Sequence, residues 1–160
     1  MPGACPRRPC PIAAGIVFVL LCYAPAFLGV YFRPDEWYAQ LRKPAWTPPG
    51  WLFGPVWTLL YGMMAAASFL VWRRGGFVAQ RRALGLFLFQ LVLNAAWSPL
   101  FFGMHSPALA FADIVLLWLT LLATIVAFWK VQVAAAVLLL PYLGWVSFAS
   151  ALNLALWRLN

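Results

Sequence analysis

Tryptophan, tyrosine and asparagine recur at helical spacing in two apolar segments, where their side chains could bind a flat ligand. Trp57 and Tyr61 lie four residues apart in one segment. In the next, Trp97 follows Asn94 by three residues and precedes Phe101 by four. Residues three or four positions apart share one face of an α-helix. Each segment therefore presents an aromatic face, and one of these faces carries a side-chain amide.

The last apolar segment repeats this pattern, with Tyr142, Trp145, Ala149, Leu152 and Asn153 on one face. A hollow lined by flat rings and a few polar groups suits a rigid, largely apolar ligand. Buried indole N–H and phenol O–H groups also require hydrogen-bond partners. Simple helix packing, with asparagine bonding between helices, explains the same pattern. From the residues alone both interpretations remain open.

Two other polar residues were considered for chemistry. Asp113 lies inside the fourth apolar segment, where a carboxylate is costly and often functional. No second acid or lone base accompanies it, so we favour a structural role, with bonds to a neighbouring helix or to interfacial water. His105 is the only histidine and follows the third segment. We expect a solvated loop residue without a partner.

Enzyme motifs are lacking in the sequence. It contains no convincing Ser–His–acid set, no phosphate-binding glycine loop, no cluster of metal ligands and no CxxC pair. Its three cysteines, Cys5, Cys10 and Cys22, fit no zinc spacing, and we interpret them as incidental thiols. The sequence favours a binding protein that requires no cofactor over a hydrolase, a metalloenzyme or a nucleotide-driven transporter.

The composition identifies the class of protein that carries these residues. Of 160 residues, 66% are hydrophobic and 9% are charged, whereas soluble domains have about 25% charged residues. Five apolar runs reach the roughly 20 residues that a membrane-spanning helix needs. We predict an all-α bundle of five transmembrane helices, at residues 12–32, 51–72, 83–104, 108–129 and 131–157. A short tail, residues 1–11, would precede a single domain, residues 12–160.

The charges predict an orientation. The net charge of +8 comes from small clusters between the apolar runs, which argues against nucleic acid binding. Seven Lys and Arg residues fall on the side of the N-terminus and four on the other side. The positive-inside rule then places the N-terminus inside and the long first loop outside. The pattern does not distinguish a bacterial inner membrane from an outer one.

The first loop contains the rigid stretch KPAWTPPGW, residues 43–51. Its three prolines fix their own backbone φ angles and restrict the residues before them, so closing this loop over a ligand costs little entropy. We predict that this stretch is a lid seated on Trp57 and Tyr61, with Trp46 supplying a large flat face. The alternative is a rigid surface loop. Pro25, Pro99 and Pro141 fall inside predicted spans, and we expect them to bend their helices.

Several stretches closely resemble the TspO/translocator-protein family, also called tryptophan-rich sensory proteins or peripheral-type benzodiazepine receptors. They are WYAQLRKPAWTPPGW, PVWTLLYG, NAAWSPLFFGMHSPALA, PYLGW and LNLALWRLN, in the family's order and spacing between residues 33 and 160. This resemblance implies five transmembrane helices, a homodimer in the lipid bilayer, and a cavity toward the first loop. That cavity would bind porphyrins such as protoporphyrin IX or haem, sterols, and benzodiazepine-type drugs.

Carried over by motif, the ligand-binding residues would be Trp46, Trp57, Tyr61, Asn94, Trp97, Phe101, Trp145, Ala149 and Leu152. One position departs from the family's proposed sterol pattern, because Leu154 stands where that pattern has tyrosine. We therefore favour porphyrins over sterols, in a receptor or transporter-like sensor. The alternatives are an enzyme that degrades protoporphyrin in light and oxygen, which some bacterial relatives are reported to do, and a structural partner with a vestigial pocket.

Overall fold

Five long helices make up most of the chain in a computed structural model that describes residues 10–160. They are α1 (Pro11–Tyr31), α3 (Phe53–Trp72), α5 (Arg81–Ser98), α6 (Pro107–Val131) and α7 (Val133–Leu159). Two short helices lie between them, α2 (Glu36–Gln40) and α4 (Gly76–Ala79). A 3-10 turn (Gly50–Leu52) leads into α3, and a π-helical turn (Pro99–Gly103) extends α5. Cys5 and the arginines at positions 7 and 8 lie outside the described residues.

All five long helices have the length and hydropathy needed to cross a membrane. With the π-helical turn counted as part of the third span, their bounds fall within about three residues of those predicted. The hydrocarbon core sets a minimum apolar length, and polar or helix-breaking residues mark its edges. The predicted five-helix, all-α class is confirmed.

The five helices pack as a ring in the order α1, α3, α7, α6, α5, and α5 closes the ring against α1. Large apolar side chains fill one half of its interior, including the fully buried Leu84, Phe87, Leu121, Phe128 and Leu139. These residues lie near the end that carries α4 and the α6–α7 turn. Aromatic and amide side chains fill the other half. Along its axis, the bundle therefore has an apolar half at the end that carries α4 and a polar-aromatic half at the opposite end.

The prolines act in two ways. Helices α1 and α7 continue without interruption through Pro25 and Pro141. At Pro99 the hydrogen-bond pattern changes, and the Met104 N–H donates to the Pro99 carbonyl over 2.8 Å to form the π-helical turn. Such turns occur frequently at functional sites. This one places Phe101, which is 1% exposed, inside the polar-aromatic half.

The segment between α1 and α3, residues 32–52, is called loop 1 below, and it covers the polar-aromatic half. Asp35 caps α2 by accepting a hydrogen bond from the Tyr38 N–H. The Arg42 N–H donates to Asn160 Oδ1 over 2.9 Å, and Asn160 Nδ2 returns a bond to the Arg42 carbonyl over 3.1 Å. Loop 1 is thereby fastened to the end of α7.

Candidate functional site

Four buried polar side chains connect three helices at the centre of the bundle. The Tyr61 hydroxyl of α3 donates to Asn94 Oδ1 of α5 over 3.1 Å. Asn94 Nδ2 donates to the Tyr142 hydroxyl of α7 over 2.9 Å, and that hydroxyl donates to Gln90 Oε1 over 3.1 Å. All four residues are buried. This chain of hydrogen bonds, called the polar core below, fixes the register of α3, α5 and α7.

Gln90 was missed in the sequence analysis. It lies four residues before Asn94, and so on the same helical face, which was the available signal. Its Nε2 is buried and has no hydrogen-bond partner among the described residues. An unpaired buried amide is costly in a medium without water. Gln90 therefore supplies a free donor next to the predicted ligand-binding residues.

Indole rings lie directly against the polar core. Trp57 stacks on Tyr61 with ring centroids 5.2 Å apart and meets Tyr142 edge-on at 6.0 Å. Trp145 packs between Phe53 and Phe148, at 5.6 Å from each ring. The aromatic faces of α3 and α7 thus face each other, as their spacing in the sequence predicted.

The third aromatic group joins α5 to α7. Trp97 stacks on Phe101 at 4.9 Å, and its Nε1 donates to Asn153 Oδ1 over 3.0 Å. Asn153 Nδ2 donates in turn to the Pro107 carbonyl over 2.8 Å. Leu152 packs in the same apolar cluster as Phe101. Both asparagines of the aromatic faces therefore bond between helices.

The nine predicted ligand-binding residues all lie in the polar-aromatic half. Seven of them belong to or pack against the apolar clusters of the bundle: Trp57, Tyr61, Trp97, Phe101, Trp145, Ala149 and Leu152. Asn94 belongs to the polar core. Trp46 is farther out and half-exposed, with its ring edge-on to Phe148 at 5.8 Å. A contact of the lid with Trp57 or Tyr61 is not among the aromatic pairs of the described residues. Trp46 instead contacts α7, while Trp37 and Tyr38 of loop 1 pack on the π-helical turn.

The rings of this site pack against one another. Two cavities among the described residues lie outside this site. One, of 580 Å³, lies at the edge of loop 1 between Trp37, His105 and Trp157, and the other is a groove beside α1. A ligand that enters beside Trp57 would displace the contacts of its ring with Tyr61 and Tyr142.

His105 is not the solitary loop residue that the sequence suggested. Its Nε2 lies 2.9 Å from Asp35 Oδ2, and its ring stacks on Trp37 with centroids 4.5 Å apart. Its backbone φ of 49° lies in the left-handed region, which is uncommon for a non-glycine residue. Asp35 and His105 are 70 positions apart. His105 lies in a loop and is 43% exposed, as expected, but it has a partner because tertiary packing brings the residues after α5 against loop 1.

Asp113 occupies a partly buried position on α6, and its Oδ2 has no hydrogen-bond partner in the described part of the chain. The Thr120 and Thr124 hydroxyls donate to carbonyls of their own helix, at Leu116 and Thr120. The expected bonds from a neighbouring helix to this oxygen are therefore not formed. Asp113 does not belong to the polar core.

Loop 1 is expected to separate from the α5–α6 connection only at a pH below the range in which aspartate ordinarily titrates. The Tyr38 N–H, and then His105, lower the pKa of Asp35. A depressed carboxyl pKa contributes stability that is fully present above the unfolded-state value of about 3.9 and is lost as the pH falls through the folded-state value. Hydrogen exchange of α2 amides, corrected for intrinsic rates, should stay slow to about pH 4 and accelerate below it.

The matched variant for this prediction is Asp35→Asn, whose side-chain oxygen still accepts from Tyr38 but carries no charge. Its α2 exchange should be faster than wild type at neutral pH and insensitive to acid. Acid acceleration of equal size in both proteins would show that the carboxylate does not hold loop 1.

The bundle and its site define a class: a multi-pass integral membrane protein whose loop-covered half is built from aromatic and amide side chains. Comparison with known proteins specifies the family. Residues 18–158 match the model of the TspO/MBR family. The chain belongs to this family.

Similar proteins come from bacteria and animals. The chain is 46% identical over 147 residues to the Tryptophan-rich protein TspO of Chlorobaculum tepidum, which covers 88% of this chain and 91% of the relative. It is 41% identical over 145 residues to the Tryptophan-rich sensory protein of Cereibacter sphaeroides, covering 91% and 90%. It is 44% identical over 148 residues to the human Translocator protein, covering 89% and 88%. The resemblance stated from the motifs is confirmed.

Proposed function

We propose that the protein is a membrane receptor or sensor that binds porphyrins in the polar-aromatic half of the bundle. The observation that carries this proposal is the convergence of aromatic faces from α3, α5 and α7 on the polar core, beneath loop 1. A porphyrin is a rigid plane with a polar edge, so it matches flat indole faces flanked by a few amides and hydroxyls.

Each side chain has a distinct role in this proposal. The rings of Trp57 and Trp145 would contact the two faces of the macrocycle. Tyr61 and Asn94 would contact its polar edge, and the unpaired Gln90 Nε2 would offer a further donor. The porphyrin carboxylates would remain at the loop end, where Arg42 and Lys43 are exposed. This arrangement requires no metal or cofactor from the protein.

Access to the site would be controlled by loop 1. Trp46 is 50% exposed and its ring meets Phe148 edge-on, so its displacement breaks little packing. Within the stiff stretch, a Thr47 N–H bond to the Pro44 carbonyl at 3.0 Å preserves a local turn. The stretch can therefore move as a unit and close over a ligand without a large entropy loss.

Protoporphyrin IX is expected to slow hydrogen exchange at the amides of Trp46, Thr47 and Gly50, since Pro48 and Pro49 have no N–H. A closed lid holds these amides away from water, whereas a surface loop does not. The measurement is exchange mass spectrometry in one detergent, with and without protoporphyrin IX. Amides of Phe77 and Val78 in α4, at the opposite end of the bundle, are the internal control and should not change. Equal protection of residues 46–50 in both states would contradict the lid.

Porphyrins are proposed ahead of sterols because Leu154 replaces the tyrosine of the family's sterol pattern. A side-by-side titration with protoporphyrin IX, haem and cholesterol tests this order. Saturable binding of cholesterol without binding of either tetrapyrrole would reverse it.

A further inference from the structure

A lipid-facing groove of 280 Å³ lies beside α1, remote from loop 1. Its walls are almost entirely apolar and come from four helices: Ala13, Ala14, Val17, Phe18 and Leu21 of α1, Trp72 of α3, Phe77 of α4, and Leu84 and Leu88 of α5. Between Ala13 and Leu21 the groove follows α1 for about 12 Å. Its shape suits a single hydrocarbon chain.

The floor of the groove is rigid and its rim is open. Phe18 is 8% exposed and Leu84 is fully buried, and Trp72 is held by a stacked Phe69 ring at 5.9 Å. Val17 and Leu21 on the rim are 51% and 39% exposed. A groove with a packed floor and an open apolar rim is accessible from the hydrocarbon region of a bilayer.

One end of the groove is strongly basic. The connection from α3 to α5 and the first turn of α5 carry four exposed arginines, at positions 73, 74, 81 and 82, and no acidic residue. Arg81, Leu84 and Leu88 follow at i, i+3 and i+7, so Arg81 continues the groove-lining face of α5. Long helical side chains lean toward the helix N-terminus, which directs Arg81 away from the apolar floor and toward the headgroup region.

We propose that this groove and its arginines form a binding site for an anionic phospholipid. One acyl chain would occupy the groove, and the phosphate would contact Arg81 and Arg82. Guanidinium groups bind phosphate oxygens through paired hydrogen bonds, and basic segments next to a membrane helix attract anionic lipids. The exposed side chains of Phe77 and Val78 would hold this connection at the membrane surface.

Charge argues against a second copy of the chain as the occupant. A copy that met this face around a two-fold axis would present the same four arginines, so like charges would oppose each other. A neutral phospholipid would fill the groove but leave the arginines without a net counter-charge. An anionic lipid satisfies both parts of the site.

Native mass spectrometry of the full chain in detergent tests the proposal, with palmitoyl-oleoyl phosphatidylglycerol and the corresponding phosphatidylcholine as probes. We expect the wild type to retain phosphatidylglycerol about fivefold more than phosphatidylcholine, and Arg81→Gln with Arg82→Gln to abolish this preference. Arg42→Gln with Arg158→Gln removes the same charge at the other end and should leave it intact. Equal retention of both lipids by the wild type, or an unchanged preference in the Arg81 and Arg82 variant, would overturn the proposal.

A second variant tests the groove itself. Val17→Trp places a large ring on an exposed rim position and should reduce phosphatidylglycerol retention to the level of phosphatidylcholine. The charge-preserving variant Arg81→Lys with Arg82→Lys should keep the preference, and far-UV circular dichroism establishes folding for each protein.

Displacement of phosphatidylglycerol by inorganic phosphate would identify a free-anion site instead. A shift from dimer to monomer in Val17→Trp, with lipid retention unchanged, would identify the groove as a contact between copies; either result rejects the lipid site.

Discussion

Replacing Trp57 and Trp145 together by alanine is expected to lower the affinity for protoporphyrin IX by about 100-fold. Each ring is proposed to contact one face of the macrocycle, and loss of one aromatic contact costs about 1.4 kcal/mol, or roughly tenfold in affinity. Summing two tenfold losses gives about 100-fold, and any coupling through the shared macrocycle would move the double variant away from this sum. Quenching of tryptophan fluorescence during a porphyrin titration measures the effect.

The matched control is replacement of Trp129 and Trp157, which lie near the ends of α6 and α7 and are 52% and 46% exposed. This variant loses the same number of indoles, so it corrects for the change in total fluorescence. Its affinity for protoporphyrin IX should equal that of the wild type. If the Trp57 and Trp145 variant binds as tightly as this control, the ligand site is elsewhere.

The second large effect is expected from Asn94→Leu, which should lower the free energy of unfolding by about 3 kcal/mol. Leucine fills a similar volume but leaves the Tyr61 and Tyr142 hydroxyls without their bonds to Asn94. An unsatisfied buried hydroxyl costs about 1–3 kcal/mol, which exceeds the value of an average hydrogen bond between membrane helices. Thermal unfolding in detergent, followed by circular dichroism, measures this loss.

The hydrogen bonds of the polar core also predict which further substitution restores part of the stability that Asn94→Leu loses. Tyr61→Phe alone removes one donor and should cost about 1 kcal/mol. Adding Tyr61→Phe to Asn94→Leu removes the hydroxyl that has lost its partner, whereas the Tyr142 hydroxyl still donates to Gln90 Oε1, so the double variant should be more stable than Asn94→Leu alone. A double variant that loses the sum of the separate effects would indicate that Asn94 acts through packing and not through hydrogen bonds.

The parts of the fold that follow from local rules were predictable from the sequence. The five spans follow from the length that a helix needs to cross hydrocarbon. The inward faces follow from helical periodicity, which placed Tyr61 and Asn94 on faces that the structure joins by a direct bond. Family motifs then identified the same residues independently, and the family itself is confirmed.

The parts that depend on packing between distant segments were not predictable. Asp35 and His105 meet because residues at the far end of α5 fold against loop 1. The residues adjacent to each of them in the sequence do not indicate this contact. The same is true of Trp46, whose ring meets Phe148 of α7. Gln90 is different, because its spacing of four residues from Asn94 already placed both amides on one helical face. It was not predicted as a site residue because a single amide within an apolar run is a weak signal.

The location of a bound porphyrin would test the proposed function most directly. A structure of the protein in complex with protoporphyrin IX should place the macrocycle in the loop-covered half, between Trp57 and Trp145, with Asn94 near its edge and the stretch around Trp46 closed over it. A macrocycle bound on the lipid-facing surface, with the Trp57 and Tyr61 rings still stacked on each other and the polar core unchanged, would contradict the proposal.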